Sequence, residues 1–99
     1  MKFEIRYTPE AFDHLQLLAK AKRTMVLDSV DEQLQHQPTL ATRKRKVLRP
    51  NPIAPWELRL GEVRVFYEVV ESPAPVVTIK AIGVKENNDL FVGGERIDL

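Results

Sequence analysis

The chain contains no cysteine, so neither disulfides nor thiolate metal sites hold it together, and this usage fits a reducing compartment. No apolar run approaches the roughly 20 residues of a membrane-spanning helix. The start Met1-Lys2-Phe3-Glu4-Ile5-Arg6 also lacks the apolar stretch of a signal peptide. Together these absences predict a cytoplasmic protein with no membrane partner. No P-loop, dinucleotide fingerprint or zinc-ligand spacing occurs. The two histidines, His14 and His36, stand about twenty residues apart with no third ligand at metal spacing, so no metal and no cofactor are expected. Repeats and low-complexity stretches are absent as well. A length of 99 residues with 43% hydrophobic content supports one core, hence a single domain over 1–99.

What the chain does contain is a stretch, Trp56 to Val69, that reads as a β-hairpin. Two alternating runs rich in β-branched and aromatic residues meet at Gly61-Glu62, a Gly-X pair suited to a type II′ turn. That register sets Leu60 against Val63, Arg59 against Arg64, Leu58 against Val65, Glu57 against Phe66 and Trp56 against Tyr67. One face then carries Trp56, Leu58, Leu60, Val63, Val65, Tyr67 and Val69, an apolar surface that has to be covered. The opposite face carries Glu57, Arg59, Arg64, Phe66 and Glu68. Two directly opposed arginines are mildly destabilising on their own, and an anion between them accounts for the pair. Phosphate suits the planar donor fork of a guanidinium. The alternative is a solvated surface on which Glu57, Glu62 or Glu68 neutralises the arginines.

The net charge of +1 conceals an asymmetry. Residues 43–64 hold seven basic side chains (Arg43, Lys44, Arg45, Lys46, Arg49, Arg59, Arg64) against Glu57 and Glu62, while the remainder is net acidic by four. One surface is therefore expected to meet a polyanion or an acidic partner. The run Arg43, Lys44, Arg45, Lys46, with Arg49 after it, reads as a generic phosphate-binding segment on an exposed connection over 39–55, with a short extended piece near Lys46 to Leu48.

Elsewhere, Lys2 to Tyr7 alternates as a first strand burying Phe3, Ile5 and Tyr7. Thr8-Pro9-Glu10 supplies an N-cap, a proline at the first helical position and an acidic first turn. The first helix turns Phe12, Leu15, Leu18 and Ala19 inward. A second runs from about Lys22 to Gln35, with Val26 or Leu27, Val30 and Leu34 inward, until Pro38 forces a stop. After a turn over residues 71–75, Val76 to Ile82 forms a further strand, Gly83 to Asp89 departs as a polar segment, and Leu90 to Ile97 makes a short hairpin about Gly93-Gly94. The expected fold is α+β, strand-helix-helix-strand-strand-strand, an antiparallel-dominated curved sheet with a helical hairpin on one side.

An initial strand, a helical hairpin, a basic linker, Trp56-Glu57-Leu58-Arg59, Val63-Arg64-Val65-Phe66-Tyr67-Glu68-Val69 and Ala81-Ile82-Gly83-Val84-Lys85, in this order, resemble the RelE/ParE toxin superfamily of bacterial type II toxin-antitoxin modules. The likeness spans residue 3 to about residue 91. It implies a toxin held inactive in a hetero-oligomer by a small, acidic antitoxin. In the RelE branch such a toxin is a metal-independent endonuclease that cleaves mRNA on the ribosome and inhibits translation. In the ParE branch it poisons DNA gyrase and cleaves nothing, and a decayed member retains antitoxin and operator binding alone. By the same resemblance Arg59, Arg64 and Lys85 match the family's basic residues at the scissile phosphate. Two positions depart from the family pattern: Glu57 stands where the nucleases commonly have lysine and Phe91 where they often have tyrosine; Glu57 is a candidate base if it lies on the same face as the arginines.

Overall fold

The computed structural model describes residues 1–99. The chain runs β1 (Glu4–Tyr7), α1 (Pro9–Gln16), α2 (Lys20–Leu34), β2 (Arg45–Val47), β3 (Trp56–Leu60), β4 (Val63–Val70), β5 (Val76–Glu86), β6 (Asp89–Val92) and β7 (Glu95–Ile97). All seven strands form one sheet in the order β2-β3-β4-β5-β6-β7, with β1 added beside β5. Every pairing is antiparallel except β1 with β5. The fold is α+β, with both helices on one side of an antiparallel-dominated sheet.

The hairpin at its centre has the register that alternation predicts, from Trp56 opposite Tyr67 to Leu60 opposite Val63. Gly61 takes φ +63°, the left-handed conformation that the first position of a type II′ turn needs and that glycine adopts without a side-chain clash. On the helix side Leu58, Leu60, Val63, Val65 and Tyr67 are buried against Ala11, Leu15, Val26, Val30 and Leu34. Trp56 and Val69 are half-buried at the margin, with the indole stacked on Tyr67 at a centroid separation of 6.0 Å. The Tyr67 hydroxyl donates to the Pro38 carbonyl at 2.6 Å, which fastens the chain leaving α2 to the centre of the sheet.

Thr8 caps α1 as its sequence implies. Its hydroxyl oxygen accepts from the Ala11 N–H at 3.0 Å and donates to the Lys80 carbonyl at 3.3 Å, so the cap also anchors the helix to β5. In α2 it is Val26, Val30 and Leu34 that turn inward, while Leu27 is exposed. The inward residues of α1 are Ala11 and Leu15 rather than Phe12, which is 54% exposed.

Three elements differ from expectation. Gly83-Val84-Lys85 does not leave the sheet, because β5 continues to Glu86. Its first half pairs with β1 and its last four residues with β6 along the same edge, while β4 occupies the other edge. Asn87 and Asn88, both at positive φ, close the β5–β6 hairpin with the conformation of a type I′ turn. Finally, Phe66 is fully buried on the face away from the helices. There it packs with Ala54, Ala81 and Leu90 in a second apolar cluster, bordered by Leu48, Ile53, Val92, Ile97 and Leu99. The linker 48–55 and the C-terminal residues supply that cover, which a strand-by-strand reading leaves out.

Two tyrosines make a prediction about alkaline pH. Burial, reinforced by Asp31, pushes the Tyr7 phenol up to about 12, and burial likewise raises Tyr67. An acid whose folded pKa exceeds its unfolded value near 10 holds more protons folded than unfolded as pH rises, so stability falls with pH there. Stability should be level below about pH 9 and decline from pH 10 through 12. Thermal melts across this range check it, and Tyr7→Phe should flatten the decline.

Candidate nucleic-acid cleft

On the face away from the helices, β3, β5 and the β6–β7 hairpin enclose a cleft of about 270 Å³ whose lining includes Glu57, Arg59 and Lys85. The pleat brings them there: Glu57 and Arg59 are two residues apart on one strand, and Lys85 reaches the same face because β5 runs on past Ile82. Leu48, Leu90, Ile97 and Leu99 form the apolar part of the wall, and Asn88, Asp89 and Asp98 the polar remainder.

Arg59 and Arg64 are directly opposed across the β3–β4 ladder, as the hairpin register predicts. Their surroundings differ. The Arg59 Nε donates to Glu57 Oε1 at 2.7 Å, joining a half-exposed guanidinium to a carboxylate that is only 7% exposed. Glu57 therefore aims and partly neutralises Arg59. Arg64 lies beside the cleft rather than in its lining, with Nη1 donating to the Gly61 and Val63 carbonyls. Its Nε is buried and has no hydrogen-bond partner. Burial lowers the pKa of this guanidinium; Glu57 opposes the shift and Arg59 adds to it. A buried donor left unpaired costs free energy comparable to a lost hydrogen bond, so Arg64 holds unused donor capacity beside its twin.

The acids Asp89 and Asp98 of the lining already face a cation, Arg96, from outside it. Arg96 Nε bonds Asp89 at 3.2 Å and its Nη2 lies 3.8 Å from Asp98, whereas Lys85 is exposed and free of any ion pair. What remains for an incoming anion is Lys85 and the open side of Arg59, with Arg64 beside them and its Nε buried. No group of three or more histidine, cysteine or acidic side chains that could hold a metal ion is found in the chain.

The basic linker divides. Arg43, Lys44 and Lys46 are exposed without ion pairs, and Lys46 is paired with Glu57 across β2 and β3. Arg45, expected among the phosphate contacts, points to the helices instead: Nη1 donates to the Gln33 carbonyl at 2.7 Å and Nε to the Leu40 carbonyl at 2.9 Å. The strand period explains it, because residues 44 and 46 share one face and 45 the other. Arg49 Nη2 donates to the Leu99 backbone oxygen at 2.9 Å and ties the C-terminal residues to the linker. Phe91 is cross-strand from Val84, on the face that holds His14 and Leu17, and takes no part in the cleft. His14 itself is structural, its Nδ1 accepting from the Ile82 N–H at 3.2 Å.

Asn88, Asp89 and Asp98 were not singled out from sequence, since the β5–β6 turn and the strands after it bring them to the cleft, and their position depends on the full length of β5.

No family model and no curated protein matches the sequence. Among solved structures, a chain of the toxin-antitoxin complex RelBE2 from Mycobacterium tuberculosis matches at a TM-score of 0.71 with 21% identity, over 86% of this chain and all of that one. The chain thus shares the overall, RelE-like fold of a chain in that complex.

Proposed function

We propose that this protein is the toxin of a toxin-antitoxin module and that it cleaves mRNA on the ribosome without a metal. The observation that carries the reading is the cross-strand Arg59 and Arg64 pair beside a cleft that also holds Lys85 and Glu57, on a fold shared with a chain of a toxin-antitoxin complex.

In the proposed reaction the ribose 2′-oxygen bonds to the adjacent phosphorus, the bond from phosphorus to the 5′-oxygen breaks, and a 2′,3′-cyclic phosphate and a 5′-hydroxyl result. One proton leaves the 2′-hydroxyl and one reaches the 5′-oxygen. Arg59 and Arg64 donate to the phosphoryl oxygens, where charge accumulates in the phosphorane. Lys85, an exposed residue of the cleft lining, exchanges a proton with the substrate. Glu57 positions Arg59 through its 2.7 Å bond, and it serves as base only if substrate displaces that bond.

Inducing the protein in bacterial cells and mapping transcript 5′ ends tests this. New ends inside translated codons are the expected result. Growth arrest without new ends, accompanied by trapped gyrase on DNA, replaces it with the gyrase-poison reading, and no arrest at all replaces it with a decayed member.

The linker should add affinity without adding chemistry, because lysine and arginine beside a phosphate backbone act mainly by counterion release. Neutralising Arg43, Lys44 and Lys46 together should weaken RNA binding and lower the slope of log K against log salt by up to about 2, with little change in cleavage at saturating protein. Arg45→Ala should instead lower the melting temperature, since it removes contacts to α2.

A further inference from the structure

The cleft has two carboxylates that an entering anion does not want, Asp89 and Asp98, and both face a cation that is not part of its lining. Arg96 Nε lies 3.2 Å from Asp89 and Arg96 Nη2 3.8 Å from Asp98. The ladders show from which side it holds them. Lys85 is opposite Leu90 and Leu90 opposite Ile97, and all three line the cleft. Arg96 is opposite Phe91, Phe91 opposite Val84, and Val84 opposite Val63 of the helix-side core. Cross-strand partners share a face, so Arg96 sits on the side of the sheet turned away from Lys85. Asp89, two positions before Phe91 in β6, starts from that same side and is within diagonal reach of Arg96.

Both acids stand next in the chain to a residue of the apolar wall. Asp89 immediately precedes Leu90, the cross-strand partner of Lys85, and Asp98 immediately follows Ile97. Of the cations in the lining, Arg59 already holds Glu57, whereas Lys85 has no ion pair. A carboxylate let go by Arg96 therefore has Lys85 to turn to. Whether it pairs with Lys85 or only stands beside it, it opposes a phosphate entering the cleft.

We propose that Arg96 is a positioning residue of the cleft that acts through Asp89 and Asp98, drawing both carboxylates toward the opposite side of the sheet and so keeping Lys85 free for an anion. The proposal rests on the reading of the cleft as an RNA site for the identity of that anion. The competing account makes Arg96 a staple between β6 and β7, with the acids mattering only as its partners. Exposure argues against it, since the Arg96 side chain is 60% and that of Asp98 91% exposed, and ion pairs in water add little to stability.

A mutant cycle separates the two accounts. The purified chain is titrated into a short fluorescein-labelled single-stranded RNA, binding is read by anisotropy, and the melting temperature is taken on each variant. Arg96→Ala should weaken binding by about three- to tenfold, the scale of one or two exposed ion pairs, and Arg96→Lys should keep most of the affinity. Asp89→Asn with Asp98→Asn should strengthen binding by less than about twofold in the parent, but should recover the whole loss when added to Arg96→Ala. Equal losses from Arg96→Ala and from the two asparagines, not recovered when the changes are combined, mean a staple and overturn the proposal. An equal gain from the asparagines with and without Arg96 means net charge alone and overturns it as well. Parent-like binding by Arg96→Ala overturns it while leaving the RNA reading in place, and a parent that binds no RNA overturns both.

Discussion

Replacing Arg64 by alanine is expected to abolish growth inhibition while leaving the protein folded. Deleting one preorganised donor to a developing anion costs about 2.7 to 4 kcal/mol of transition-state stabilisation, roughly a hundred- to a thousandfold in rate. Arg64 bonds only carbonyls at the hairpin turn, and its buried Nε bonds nothing, so its loss orphans no carboxylate and removes one of two opposed cations. Arg59→Ala should cost as much in rate but more in stability. It strips the donor from the buried Glu57 carboxylate, and an unsatisfied buried acceptor costs about 1 to 3 kcal/mol. Adding Glu57→Gln to Arg59→Ala should recover much of that stability without recovering activity. The measurements are growth on induction, RNA cleavage by purified protein and the thermal midpoint, taken on each variant. Folded Arg64→Ala protein as toxic as the parent would eliminate the arginine pair as the active centre.

Phe66→Ala is expected to be the most damaging single change on the outer face of the sheet. Phe66 is fully buried there among Ala54, Ala81 and Leu90, and truncating a buried phenylalanine costs about 3 to 5 kcal/mol through lost transfer energy and the cavity left behind. For a domain of this size each kcal/mol corresponds to about 4 to 8 °C in melting temperature. Because Glu57 is directly opposite Phe66 across the β3–β4 ladder, the cleft should loosen with the cluster. Phe12→Ala serves as the control, since Phe12 is exposed on the helices and its loss should shift stability by no more than about 0.5 kcal/mol. Equal shifts from the two variants would mean that the outer face has no core of its own.

Phe66 also marks the boundary between local and global information in this chain. The hairpin from Trp56 to Val69 was legible residue by residue, because a Gly-X turn pins the register and a period of two then assigns every side chain to a face. The cap at Thr8 and, apart from the choice between Val26 and Leu27, the inward stripe of α2 were legible for the same kind of reason, each being a pattern within one turn or one helix. From these alone followed the α+β class, the helical cover on one face and the opposition of Arg59 to Arg64. Alternation does not say whether the polar-looking face meets water or more protein, so the burial of Phe66 under residues 48–55 and 97–99 came only with the tertiary structure. Nor does it say how far a strand continues once its apolar run ends. Gly83-Val84-Lys85 reads as an exit, yet β6 folds back through Asn87-Asn88 and pairs with it, and that long-range pairing carries Lys85 to the cleft. The parallel partner of β1 and the turn of Arg45 toward α2 depend likewise on contacts between residues far apart in the chain. Sequence determined which residues could share a face, and packing between distant segments decided which of those faces became core, cleft or open surface.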